Sequence, residues 1–206
     1  MARRKDGHAA RRLTLLDLTL IVAAAAFALA GFQYATTRVF RGWLDYSRWP
    51  AWIEKPTPQI VLYMMSDATA PLIPLAGAWT GLLPMLRLIP PAPSRRRWTR
   101  QPGLAACLSA LVVFAWVGIT SLGAIGLVKC FPNWGLNGAA FIQELMIAHV
   151  FPLVGVAVAA TWFQMAISGA WKRPADWIDR IGLVVGVLWI VIGLAWTFRS
   201  YEPMIR

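Results

Sequence analysis

The sequence predicts an all-α integral membrane protein. We read a single domain over residues 1–206, a bundle of about five transmembrane helices with a short interfacial helix in the first outer loop. Three observations carry this reading. The 206 residues are 58% hydrophobic and only 14% charged, with a mean hydropathy of +0.57. A soluble domain needs more polar surface than that. Charge is absent from five long runs: Leu18 to Thr37 (20 residues), Ala68 to Leu86 (19), Pro102 to Val128 (27), Leu145 to Trp171 (27, interrupted only by His149) and Ile181 to Phe198 (18). The basic residues gather beside these runs, in MARRKDGHAARR, PSRRRWTR and WKR. About 20 apolar residues cross the hydrocarbon layer. Lipid offers no water to loose backbone groups, so apolar spans of this length fold as helices.

The first span covers about residues 14–35. Thr14 is placed to cap it, with Asp17 at the third helical position, close to a capping box. A carboxylate there also complements the helix dipole. The basic start, apolar middle and small-x-small ending at Ala28 to Ala30 share features with a signal peptide. The apolar run nevertheless continues through Gly31, Phe32 and Tyr34 to spanning length, so a span is the expectation.

The interfacial helix is expected over about residues 39–49. Phe40, Trp43 and Leu44 share one face, and Arg41, Asp45 and Arg48 another, until Pro50 ends the pattern. Trp43, Trp49 and Trp52 suit the headgroup layer as interface anchors, as does Trp171 at the inner end of span four. Span two, about 68–88, contains Pro71, Pro74 and Pro84 and should be irregular. Span three covers about 103–128 and span four about 145–170, with a bend expected at Pro152. Span five covers about 179–198.

The net charge of +11 does not point to nucleic acid, because the basic residues flank the spans. That is the pattern of orientation signals and of contact with anionic lipid. The expected partner is the lipid bilayer, with no nucleic acid. With the N-terminus inside, 13 Lys and Arg fall on the inner side and 7 on the outer. The expected topology is therefore N-terminus in the cytoplasm and C-terminus outside, in a bacterial inner membrane. Cys107 and Cys130 stand 23 residues apart, roughly 35 Å of helix, and cannot bond within one molecule.

The ionisable residues near the spans are the candidate site. Counting 20 residues back from the inner ends of spans two and four reaches Asp67 and the neighbourhood of His149. Both fall at the outer rim, with Glu144 further out. Asp67, His149 and Glu144 are the candidate residues for a metal, a pigment or a proton-sensitive cluster. Glu144 and His149 differ by five positions, about 140° around a helix, so they do not share a face. One chain supplies no second axial histidine for a buried haem, because His8 lies in the basic tail. The sequence names no cofactor. Coupled transporters place ionisable groups in the membrane interior, and no such row is present here. No G-x-S-x-G, phosphate-binding loop or Cys-x-x-Cys appears, and the expectation leans away from an enzyme.

Small residues recur at helix-packing spacing: Gly182 with Gly186, Ala24 with Ala28, and Gly155 with Ala159. They allow close approach within the bundle, or pairing of two copies through span five. The expected function is a non-enzymatic structural or partner-binding membrane component, engaging a membrane-protein partner or a homo-oligomer. Two alternatives stand beside it: a small transporter, channel or sensor built on span two and the outer-rim residues, and a single-histidine pigment or metal protein.

Two resemblances accompany this reading. The basic opening, LTLLDL and an alanine-rich span, over about residues 11–31, resemble uncharacterised multi-pass membrane proteins of planctomycete-type bacteria. That implies a bacterial inner membrane and carries no functional residue over. The aromatic loop ending in EKPTP is similar to that of the five-span tryptophan-rich sensory proteins, but PTPQIVLYMMSDATAPLIP departs from their Trp-rich second span.

Overall fold

The computed structural model describes residues 14–46, 58–88, 101–130, 135–171 and 176–200. They form six helices and, among the described residues, no strand: α1 (Leu15–Tyr46), α2 (Pro58–Thr69), α3 (Leu72–Leu88), α4 (Pro102–Cys130), α5 (Gly135–Ile167) and α6 (Trp177–Ser200). α1, α4, α5 and α6 are long and apolar enough to cross a membrane, and α3 is a shorter apolar helix. The chain is an all-helical membrane bundle.

Two elements differ from the expected boundaries. The segment expected to form a separate interfacial helix continues α1 without a break as far as Tyr46. At 32 residues α1 is roughly 48 Å long, well over the hydrocarbon thickness, so its last turns extend past it. Span two is preceded by α2 and broken from it at Ala70 and Pro71. Pro71 has no N–H to continue the helix, while Ala70 still donates to Ser66 at 3.1 Å and Ile73 donates back to Ala70 at 3.2 Å. Pro74 is tolerated because it lies in the first turn of α3, where backbone N–H groups have no helical acceptor. The 17 residues of α3 then span roughly 26 Å.

The start of α1 is capped as its sequence suggests. The Thr14 N–H donates to Asp17 Oδ2 at 3.0 Å, and the Asp17 N–H donates to Thr14 Oγ1 at 3.2 Å. This reciprocal pair satisfies two donors that the helix itself leaves open. At the other end of the bundle's hydrogen-bond problem, α5 closes through Gly169, whose φ of 65° suits a residue without Cβ. Ala170 N–H reaches back to Met165 O at 3.0 Å, and the chain turns toward α6.

α6 is the helix on which the others assemble. It packs against α2, α3, α4 and α5. Its buried side chains Ile178, Val185, Trp189, Ile192 and Ala195 join Leu83 and Leu86 of α3, Ala106 and Ala110 of α4, and Val154 and Val158 of α5 in or beside one core. Trp189 is fully buried, edge-on to Phe114 at 5.2 Å and stacked on Phe151 at 6.4 Å. Its indole N–H donates to Thr80 Oγ1 at 2.7 Å, and that hydroxyl donates to Ala76 O at 2.6 Å. This neutral relay ties α6 to α3 in the middle of the bundle. α1 packs on α3 through Gly31, which meets the Pro74 ring. Inward of that contact lie Asp17, Leu20, Ile21, Ala24 and Ala28, while most of α1 beyond Gly31 is exposed. α3 therefore runs back along the first half of α1.

Lipid tails are as apolar as the side chains, so helices here adhere through close packing rather than through escape from water. Glycines set that packing. Gly182 of α6 lies against the Gly103 backbone of α4, and Gly193 of α6 lies against Gly155 of α5. Gly186 sits beneath the Trp162 ring and Ala106. A Cβ on Gly182 would stand 2.7 Å from the Gly103 carbonyl carbon, whereas one on Gly81 meets nothing within 4 Å. Gly182→Ala should therefore cost about 1–3 kcal/mol through overpacking. Gly81→Ala should be neutral or slightly stabilising, by up to about 1 kcal/mol of helix propensity. Thermal unfolding in detergent, followed by circular dichroism, checks both; equal effects would contradict this packing.

Candidate functional site

The helix directions bring several termini together. Gly103 meets Gly182 and Ala106 meets Gly186, so α4 and α6 run parallel from a shared end. Phe151 meets Trp196, Gly155 meets Gly193 and Trp162 meets Gly186, so α5 runs antiparallel to α6 and finishes at that end. α3 finishes there too, and α1 begins there. Five helix ends thus converge. Each leaves backbone donors or acceptors without helical partners.

Asp176 stands immediately before α6 and caps it. Its Oδ1 accepts from the Asp179 N–H at 3.1 Å. The same carboxylate pairs with Arg87 Nη2, from the last turn of α3. The Arg87 side chain is 6% exposed and that of Asp176 32%, so the guanidinium is inside and its partner reaches toward the rim.

Asp179, 1% exposed, turns away from its own helix. Its Oδ1 accepts from Gly103 N–H at 2.8 Å and from Leu104 N–H at 3.3 Å. Those are the second and third residues of α4, the positions an N-cap side chain normally serves. α4 is preceded by Gln101, outside the preferred cap residues, and opens on Pro102. The cap comes instead from α6. Gly103 is required at this contact, because a Cβ would collide with the Asp179 backbone oxygen. The Trp162 indole N–H of α5 donates to Pro102 O at 2.9 Å and closes the junction. Cys107, one turn further along α4, is fully buried.

Three buried polar atoms at this end have no hydrogen-bond partner: Arg87 Nε, Gln101 Oε1 and Asp179 Oδ2. One donor and two acceptors are thus held, desolvated, around a guanidinium and two carboxylates. Chemically the arrangement can hold charge and bind hydrogen.

The residues singled out from sequence sit elsewhere. Asp67 is half-buried near the end of α2, and His149 is exposed on α5. Glu144 is part of α5, with its side chain outside the described residues. Among the described residues, no three His, Cys, Asp or Glu side chains come close enough to hold a metal ion. Trp171 is 41% exposed and edge-on to Trp162 at 5.8 Å. The Trp43 side chain, Trp49 and Trp52 lie outside the described residues. Gly182, Gly186 and Gly155 are at helix contacts, as described above; Ala24 and Ala28 face α3, and Ala159 faces outward. Sequence reasoning missed the Arg87–Asp176–Asp179 cluster. The available signal was Asp-x-x-Asp ahead of an apolar run, a helix-start pattern, together with an arginine at the end of span two.

Fold and site together define a helical membrane bundle with a buried ionic junction at one end. No protein family, characterised protein or solved structure matches the chain.

Arg87→Met removes the cation and leaves Asp176 and Asp179 facing each other. Breaking a buried pair costs about 3–5 kcal/mol, and the partial exposure of Asp176 sets the expectation near the lower end. His149→Ala, at an exposed position, should cost clearly less than Arg87→Met. Denaturant titration of the two variants measures the contrast, and a silent Arg87→Met would show that the junction holds nothing together. Thr80→Val leaves the Trp189 indole N–H unsatisfied in the core. Its expected cost is about 1–3 kcal/mol in the same measurement.

Proposed function

We propose that this chain is a non-enzymatic structural or partner-binding component of a bacterial inner membrane, with its N-terminus in the cytoplasm and its C-terminus outside. The observation that carries the reading is the placement of buried charge. Asp17, Arg87 and Asp179, the buried Asp and Arg side chains among the described residues, all lie in first or last helical turns at one end. The middle of the bundle is joined instead by the neutral Trp189–Thr80 bond. Proton relays and coupled transporters need ionisable groups along the path. A bundle whose charges lock one end, and whose centre is packed by glycine and tryptophan, is suited to holding a fixed shape.

α1 supports the partner-binding half of the proposal. It packs chiefly on α3, and it turns Leu18, Val22, Phe27, Leu29 and Phe32 outward. It is the helix most open to a neighbouring membrane helix.

Mild-detergent isolation after crosslinking in the native membrane tests the function. A stoichiometric membrane-protein partner or homo-oligomer, weakened by Phe27→Ala with Leu29→Ala, is the expected result. A pH-dependent substrate flux in proteoliposomes that disappears in Asp67→Asn would overturn it. So would a visible pigment band or bound metal lost in His149→Ala. The topology has a separate check. Cys107 is buried, so an impermeant thiol reagent reports on Cys130, which should be labelled from the outer side; labelling only from the inner side reverses the orientation.

A further inference from the structure

The ionic junction carries a charge imbalance. Arg87, on α3, is already engaged by Asp176. The second carboxylate, Asp179, is 1% exposed and forms no ion pair among the described residues. Among the described residues, the other groups facing this end do not supply a cation for it, and Arg180, next to Asp179, is exposed. α4 contributes the Cys107 thiol and α5 the Trp162 indole, while Asp17 stands at the start of α1. An unbalanced carboxylate that far from water is costly unless something neutralises it.

The hydrogen bonds make the same point independently. Asp179 Oδ1 is fully used by the Gly103 and Leu104 N–H groups. Its Oδ2 has no donor, and neither does the buried Oε1 of Gln101, two residues before Gly103. An ionised carboxylate can only accept, so with the Gln101 amide oriented as it is two acceptors stay bare. One hydrogen on Oδ2 changes the count: it neutralises the carboxyl and makes Oδ2 a donor for Gln101.

We propose that the junction is a buried proton-binding site, in which Asp179 holds a hydrogen on Oδ2 and donates it to Gln101 Oε1. The step takes one proton from solvent and turns the carboxylate into a neutral acid; no electron moves and no other bond breaks. A metal cation fits less well. Two free oxygens fall far short of the six or so ligands that hard cations take. The site has a structural consequence as well. The hydrogen sits on the residue that caps α4, so its loss would charge the contact joining α4 to α6.

Infrared spectroscopy of the purified protein, paired with Asp179→Asn, tests this. Asparagine is the isostere of the neutral acid: Oδ1 still caps α4, and the amide N–H replaces the donor to Gln101. The wild-type spectrum should contain a protonated-carboxyl C=O band that is missing in Asp179→Asn. The midpoint of thermal unfolding should stay within about 2 °C, a shift that corresponds to about 0.5–1 kcal/mol at this size. Gln101→Leu should keep the band but move it to higher frequency, as its hydrogen-bond acceptor is removed. Absence of the band overturns the proposal, as does a large fall in melting temperature or failure to fold in Asp179→Asn. A band unmoved in Gln101→Leu overturns the assignment of the acceptor. Stabilisation by sodium without the band would assign the site to a metal cation instead.

Discussion

The Asp179 carboxylate on the α4 N-terminus is the contact on which the bundle's arrangement depends. A helix start buried inside a bundle has backbone N–H groups that water cannot reach, and each must find an acceptor. Gln101 does not supply one for α4. α6 does, and in doing so fixes α4 alongside itself, parallel and in register. Gly103 and Gly182 make the contact possible by letting the two backbones touch. Everything packed on this pair inherits its geometry: Trp162 of α5 bonds to Pro102, and Arg87 of α3 bonds to the residue that caps α6.

The bundle is therefore organised asymmetrically. At the junction end, charged and polar groups meet between five helix termini. Further along, the contacts are aromatic and small: Trp189 between Phe114 and Phe151, Gly193 on Gly155, and a neutral bond to Thr80. This division follows from the solvent. Polar groups cost least near the membrane rim, where helix ends already need partners. Glycine and alanine contacts do the work in the centre because dispersion, not escape from water, holds helices together there. α1 stands outside this scheme. It is joined to α3 over its first half, and most of residues 32–41 beyond that are exposed.

Part of this was legible in the sequence and part was not. The capping pair of Thr14 and Asp17 could be read because a capping box is local, closed within four residues. The proline-broken entry to α3 could be read for the same reason. The sequence drew attention to Asp67, His149 and Glu144, because an ionisable residue in an apolar run stands out whether or not it is enclosed, and it passed over the junction. Arg87 and Asp176 are 89 residues apart and each, taken alone, looks like an ordinary charged residue at a helix end. Only their shared end of the bundle makes them a buried pair.

By itself, the sequence determined that this chain lives in a membrane as helices. Hydropathy and charge position are sums over neighbouring residues, and lipid permits few other backbone solutions. It also drew attention to Gly155, Gly182 and Gly186, which lie at helix contacts, and to Ala159, which faces outward. The tertiary structure decided which seams close on which helices. It turned Asp179 from a first-turn acid into the cap of a different helix, and it left one carboxylate and one amide oxygen without donors in the interior. Those outcomes depend on helix register and direction, set by contacts between residues far apart in the chain, which no local pattern records.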